Sequence, residues 1–242
     1  MSNIEEEIIS TVSHELRTPL TSIRGFAQTL LSSWDKLDDE SKKKFIKIIE
    51  EQSNRLTGLV ENMLSVSKIN KDHFVYSEVS VKSVIEQTVS LVKNQYKEHS
   101  FDVNYVSSTP NIYVDKDKFQ QVLVNLVENS AKYSAPGFSS KISSRADKNF
   151  VVIEIENMGI GIEEKDYETI FKKFSRIDNH LTRCVQGSGL GLYITKNIVQ
   201  KMNGEISVRS VEQEHSTYSR IIFTVKFPIV GIEEQARLKC KQ

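Results

Sequence analysis

The sequence predicts an α+β protein: an antiparallel helical hairpin, two copies of which pair as a dimeric four-helix bundle, followed by an α/β sandwich. Three observations predict it. Two heptad-spaced apolar seams fill the first 70 residues. From residue 81 onward, helical spacing alternates with short β-rich runs. Five of the ten glycines sit in two short clusters in the second half of the chain.

The composition agrees. Hydrophobic residues make up 38% and charged residues 26% of 242, which suits a packed chain and argues against disorder. Lysine plus arginine equals aspartate plus glutamate, at 32 each, so no basic excess points to nucleic acid as a partner. Cys184 and Cys240 fit no metal-ligand spacing, and so few cysteines suit a reducing compartment. No run reaches the ~20 apolar residues of a membrane-spanning helix. The first ten residues are acidic and lack the pattern of a signal peptide. The expected location is therefore cytoplasmic, with any sensor domain or protein lying upstream and outside this sequence.

In residues 4–31 the seam is Ile9, Val12, Leu16, Pro19, Ile23, Phe26 and Leu30, in steps of three and four. Residues 32–37 form a short connection. Asp38 is a plausible N-cap for the second helix, with Asp39 and Glu40 at its positive end. That helix carries Phe45, Ile49, Gln52, Leu56, Leu59, Met63 and Val66 and runs to about residue 70. One hairpin cannot cover both apolar stripes, whereas a pair of hairpins can, so a homodimer is expected. Packing of the hairpin on the rest of its own chain is the alternative.

The expected division is 1–73 for the hairpin, 74–230 for the sandwich and 231–242 for a polar tail. Within the sandwich, Ser80 caps a helix over 81–97, and strands follow at 101–106 and 112–114. Residues 118–134 read as a helix with an apolar face of Phe119, Val122, Leu123, Leu126 and Val127. Strands at 141–144 and 150–155, a helix at 163–173 and a polar stretch at 175–188 come next. A further helix starts near Gly189 and stops near Asn203 and Gly204. Strands at 206–211 and 221–227 close the domain, with Pro228 ending the last.

Two constellations carry chemistry. The first is Ser13-His14-Glu15-Leu16-Arg17-Thr18-Pro19-Leu20. With Ile9 and Val12 on the seam, His14 falls on the outer face, where a neutral imidazole can act as a nucleophile near pH 7. Glu15 could accept the ring proton or hold the tautomer. Thr18 shares His14's face one turn on. Pro19 removes a helix hydrogen bond beside them and should kink the helix, at a cost of about 3 kcal/mol or more. A lone helix-surface histidine would be unremarkable; the whole octet is not. It resembles the phosphoacceptor box of the sensor histidine kinases of two-component systems. In that family the histidine is phosphorylated, the acidic neighbour assists the kinase reaction, and the threonine helps position water for dephosphorylating the partner. The resemblance assigns these roles to His14, Glu15 and Thr18.

The second constellation starts on the helix at 118–134. Asn125, Asn129, Lys132 and Tyr133 lie along one face, where amide oxygens could ligate Mg²⁺ and a lysine could neutralise phosphate. An ordinary polar helix face would look similar. The order of motifs decides: residues 125–134 resemble the asparagine box of the Bergerat-type ATPases, and Gly159 and Gly161 resemble the first glycine box. Residues 170–174 resemble the phenylalanine box, and Gly187-Ser188-Gly189-Leu190-Gly191-Leu192 resembles the second glycine box, opening a helix whose N-terminus attracts phosphate. The resemblance implies an ATP-binding sandwich using ATP and Mg²⁺, with Asn129 as the metal ligand. Asn125, Lys132, Tyr133 and Arg176 would help hold phosphates, and 175–186 would form a lid. It also implies a response regulator receiver domain as partner. It spans nearly the whole chain.

The sequence departs from that pattern in places. Asn157 stands where the family has an aspartate that accepts from the adenine amino group. Asparagine keeps an acceptor, adds a donor and loses the charge. Ser219-Arg220-Ile221 stands where a glycine and a threonine are usual, and residues 212–216 contain no glycine. Two functions follow. One is a kinase core that loads His14 from ATP and passes the phosphoryl group to a regulator aspartate, with regulator phosphatase activity as well. The other is a regulator-binding phosphatase or phosphotransfer module with an impaired ATP site.

Overall fold

A computed structural model describes residues 2–68, 73–105, 109–175, 189–213 and 216–229. The chain divides into two compact units, Met1–Asn70 and Lys71–Gln242.

The first unit is a helical hairpin. Helix α1 spans Ser2–Ser33 and α2 spans Asp39–Lys68, joined by a single 3₁₀ turn at Trp34–Lys36. Asp38 caps α2: its carboxylate accepts from the Ser41 amide at 2.7 Å and from the Ser41 hydroxyl at 2.9 Å. These bonds to the charged form hold its pKa below the ordinary carboxylate value. Leu16, Pro19, Ile23, Phe26 and Leu30 of α1 all turn away from solvent, as do their counterparts on α2 from Phe45 to Val66. Phe26 and Phe45 meet with ring centroids 5.1 Å apart. The helix continues through Pro19, whose ring is buried on the seam. A second apolar set stays exposed: Leu20, Leu31, Ile46, Val60 and Leu64.

The second unit is an α+β sandwich. Its five-stranded mixed sheet has strands β2 (Phe101–Tyr105), β4 (Ser140–Asp147), β5 (Phe150–Gly159), β6 (Glu205–Val211) and β7 (Ser219–Pro228) in the order β2-β4-β5-β7-β6. Only β2 and β4 pair in parallel; the other neighbours are antiparallel. A separate antiparallel ribbon joins β1 (Tyr76–Val79) to β3 (Ile112–Asp115).

Among the described residues, helices α3 (Val81–Gln95), α4 (Lys116–Lys132) and α5 (Gly191–Lys201) accompany the sheet. Strand alternation sets its two faces. Val151, Ile153, Ile155, Asn157 and Gly159 of β5 point to the buried side. Glu154 and Glu156 point to the other, where Arg145 Nη1 meets Glu154 Oε2 at 2.6 Å. Phe119 of α4 packs edge-on against Phe227 of β7, with centroids 5.3 Å apart, and both rings are essentially solvent-free.

Local chemistry explains the helix ends. Ser80 caps α3 by accepting from the Ser83 amide. Asp115 caps α4, which therefore starts two residues before its expected first residue. Its other carboxylate oxygen accepts from the Val75 amide at 2.8 Å, tying the start of the unit to the helix. α5 ends in a Schellman turn: Asn203 takes φ 56°, and the Gly204 and Asn203 amides donate to Val199 and Gln200.

The helix expected at 163–173 does not form. Two 3₁₀ turns, Glu164–Asp166 and Thr169–Phe171, take its place. The buried pair Ile170 and Phe171 is adjacent in sequence, so it makes no helical stripe. The segment is instead pinned to β6: the Ser210 amide donates to the Tyr167 hydroxyl at 2.7 Å, and that hydroxyl donates to the Ser210 carbonyl at 3.3 Å.

Candidate functional site

In the sandwich unit the candidate site is built by the polar face of α4, the end of β5 and the start of α5. The apolar face of α4 (Phe119, Val122, Leu123, Leu126, Val127) is buried. That anchorage leaves Asn125, Asn129 and Lys132 together on the half-buried side, with Tyr133 as the C-cap residue. The Tyr133 amide donates to the Asn129 carbonyl at 3.0 Å, which closes the helix. Lys132 Nζ lies 5.8 Å from the centre of the Tyr133 ring. Glu128, next to Asn129, has its carboxyl pKa raised by burial, with Lys132 pulling it the other way.

The end of β5 is clamped onto the C-terminus of α4. The Ala135 amide donates to the Met158 carbonyl at 2.7 Å, and the Ser134 hydroxyl donates to the same oxygen at 3.4 Å. Gly159 is glycine because of this approach: a Cβ there would stand 2.4 Å from the Tyr133 carbonyl oxygen. Gly161 is confined likewise, its Cβ position lying 2.8 Å from Ser219 Oγ. Both reasons concern packing between elements and could not be read from a glycine cluster.

Asn157 lies on the buried side of β5 with 2% exposure, and its Nδ2 has no hydrogen-bond partner among the described residues. A buried amide without partners costs on the order of 1–3 kcal/mol, so a donor held here suits a ligand with an acceptor. The neighbouring departure, Arg220, faces the other way. It is opposite Met158 in the sheet register, with Nη1 3.8 Å from Glu156 Oε2. Ile221, not Arg220, is the residue opposite Asn157.

At the start of α5, Gly189 has φ 67° and packs against the backbone of Phe174, itself at φ 58°. Leu190 is buried and occupies the N-cap position. Gly191 opens the helix, and a Cβ on it would stand 2.4 Å from Asn125 Oδ1. Asn125 Nδ2 donates to Thr195 Oγ1 at 2.7 Å, and Thr195 is buried. Sequence reading missed Thr195, which lies one turn after Gly191 on the same side of α5. Arg176, Gly187 and Ser188 lie outside the described residues.

The groups that converge fit a nucleotide and a hard cation: amide oxygens on α4, a lysine, a buried amide donor at the end of β5, and a helix N-terminus. Lys132 and Asn129 would face phosphate and cation; Asn157 would face the base.

In the hairpin unit, the backbone of His14 belongs to α1, and its side chain lies outside the described residues. Glu15 reaches across the hairpin: Arg55 Nη2 donates to its Oε2 at 3.3 Å, with each side chain about one-fifth exposed. No local motif marks Arg55, whose partner lies 40 residues away in the sequence. Thr18 is exposed one turn after His14.

Comparison with known proteins covers both units. Residues 4–72 match the His Kinase A (phospho-acceptor) domain, and residues 114–230 match the histidine kinase-, DNA gyrase B- and HSP90-like ATPase family. An uncharacterized sensor-like histidine kinase, ycf26, of Pyropia yezoensis is 36% identical over 226 residues, covering 87% of this chain and 34% of its own length. The signal transduction histidine-protein kinase ArlS of Staphylococcus haemolyticus is 31% identical over 223 residues, covering 91% of this chain and 49% of its own. The chain thus spans a third to a half of these relatives. Among solved structures, the Acinetobacter baumannii histidine kinase AdeS superposes with a TM-score of 0.68 at 26% identity, covering 90% of this chain and 98% of that one. No helix among the described residues is long and apolar enough to cross a membrane.

Proposed function

The chain belongs to the sensor histidine kinases, and on that premise we propose that it phosphorylates His14 from ATP and passes the phosphoryl group to an aspartate of a response regulator receiver domain. The observations that carry the reading are a His-Glu-x-x-Thr helix and, in the same chain, a unit in which α4 presents Asn125, Asn129 and Lys132 and β5 holds a buried, unpartnered Asn157 donor.

In this reading a ring nitrogen of His14 attacks the γ-phosphorus of ATP. A P–N bond forms as the bond to the β-bridging oxygen breaks, ADP leaves, and Glu15 takes the ring proton. Mg²⁺, held through Asn129, supplies charge neutralisation when bound. Lys132 holds the phosphates, and the work of the protein is positioning and electrostatics. The reverse-facing role, dephosphorylation of the regulator, uses Thr18 to orient water. Two hairpins pair through the apolar set left exposed on each, which includes Leu31 at 85% and Leu20 at 57% exposure.

The test is incubation with Mg²⁺ and γ-labelled ATP. Acid-labile label on the chain, absent from His14→Ala, is the expected outcome. Label that persists in His14→Ala refutes the assignment.

A further inference from the structure

We infer that Asn157 makes the nucleotide site indifferent to the group at purine position 6, so that 6-oxopurine nucleoside triphosphates bind there about as well as ATP. This rests on the ATP-site reading above and widens its substrate class.

Asn157 is 2% exposed, and its Nδ2 has no hydrogen-bond partner among the described residues. Along the buried side of β5 it stands between Ile155 and Gly159, and Ile221 is opposite it on β7. Both isoleucines are buried. The charged neighbours in the ladder, Glu156 and Arg220, point to the other face of the sheet, where they approach each other at 3.8 Å. These surroundings are apolar on the amide's own face and leave its donor unpinned. The amide also lies at the C-terminal end of α4, the end that carries Lys132. Asn157 Nδ2 and the Tyr133 carbonyl oxygen crowd the same point, 3.1 and 2.4 Å from where a Cβ of Gly159 would be.

A side-chain amide offers an acceptor and a donating group of similar shape. Turned one way, it accepts from the 6-amino group of adenine and donates to N1. Turned over, it donates to a 6-oxo group and accepts from the N1 hydrogen. Each arrangement makes two neutral hydrogen bonds and satisfies the buried donor, so the two kinds of purine bind with similar strength. A carboxylate at the same place has acceptors only. It would hold the amino group by a charge-assisted bond and repel the oxo group. Residue 157 is thus a specificity determinant, and a neutral amide there gives up the distinction that a charge would draw.

The experiment titrates the full chain and its Asn157→Asp and Asn157→Leu variants with the Mg²⁺ complexes of ATP, ITP and GTP. ITP carries the 6-oxo group without the 2-amino group of guanine, so it isolates position 6. In wild type, ITP and GTP should bind within about fivefold of ATP. Asn157→Asp should move the ATP-to-ITP ratio about fivefold toward ATP. Asn157→Leu keeps the bulk and removes both hydrogen-bonding ends, so it should weaken ATP and ITP equally, by about tenfold. Wild-type affinity for ITP or GTP below that fivefold range would overturn the inference, and this comparison needs no variant to fold. So would an Asn157→Leu chain that binds ATP and ITP like wild type. A wild-type chain that binds none of the three nucleotides refutes the ATP-site reading instead, whereas one that binds ATP alone leaves that reading standing and refutes only the wider class.

Discussion

An alanine in place of Gly159 would carry its Cβ 2.4 Å from the Tyr133 carbonyl oxygen and 3.1 Å from Asn157 Nδ2. Carbon contacts are comfortable near 3.5 Å, so β5 and the C-terminus of α4 would have to separate by about 1 Å. Neither side yields easily. The carbonyl is backbone, and the segment is tied by the Tyr133–Asn129 and Ala135–Met158 hydrogen bonds at 3.0 and 2.7 Å. Overpacking of this kind costs ~1–3 kcal/mol, and a backbone clash belongs at the upper end. For a unit of this size that is a fall of about 6–12 °C in its unfolding midpoint. Gly25→Ala is the control. Nothing lies within 4 Å of its Cβ position in the middle of α1, so it should stabilise the hairpin by ~0.5–1 kcal/mol through helix propensity. Thermal and denaturant unfolding of the three chains, followed by nucleotide titration, make the assay. A Gly159→Ala chain as stable as wild type would refute the claim that the end of β5 is clamped on α4.

Three other outcomes follow from the same structure. Asn157→Asp removes the unpartnered donor and adds a charge-assisted acceptor, so the ATP-to-GTP affinity ratio should rise by about fivefold in competition titrations; an unchanged ratio would show that residue 157 does not face the base. Glu15 and Arg55 form a half-buried pair, so a double-mutant cycle with Glu15→Gln and Arg55→Gln should give a coupling of about 0.5–1 kcal/mol in hairpin stability, and zero coupling would remove the contact. Burial lowers the pKa of His99, whose Nε2 lies 2.8 Å from Ser140 Oγ. The folded state then binds fewer protons than the unfolded state below the ordinary value of 6.5. The stabilising contribution is present above pH 6.5 and is lost as pH falls through the lowered pKa. Comparing unfolding at pH 7.5 and 5.5, His99→Gln should lose less stability than wild type; an identical loss rejects this.

What the sequence made legible depended on how local each determinant was. The seams, the Asp38 and Ser80 caps and the apolar face of α4 act within a few residues, and the structure forms each of them where spacing and cap chemistry predict. The helix expected at 163–173 failed for a non-local reason. Tyr167 bonds to Ser210, 43 residues away, and this contact outweighed a weak helical pattern. Thr195 and Arg55 were missed likewise, since their partners lie 70 and 40 residues off. The glycine clusters were legible in the sequence, but the contacts they make were not. Gly159 and Gly191 serve close approaches to Tyr133 and Asn125, and of Gly189 and Gly191 only Gly189 uses a positive φ.

The central claim is that His14 takes its phosphoryl group from the ATP site built on α4. ³¹P NMR of the chain with Mg²⁺–ATP tests it most directly. A phosphoramidate resonance should grow with ADP and be absent from both His14→Gln and Asn129→Ala. ADP release without that resonance, or the resonance in His14→Gln, would contradict it.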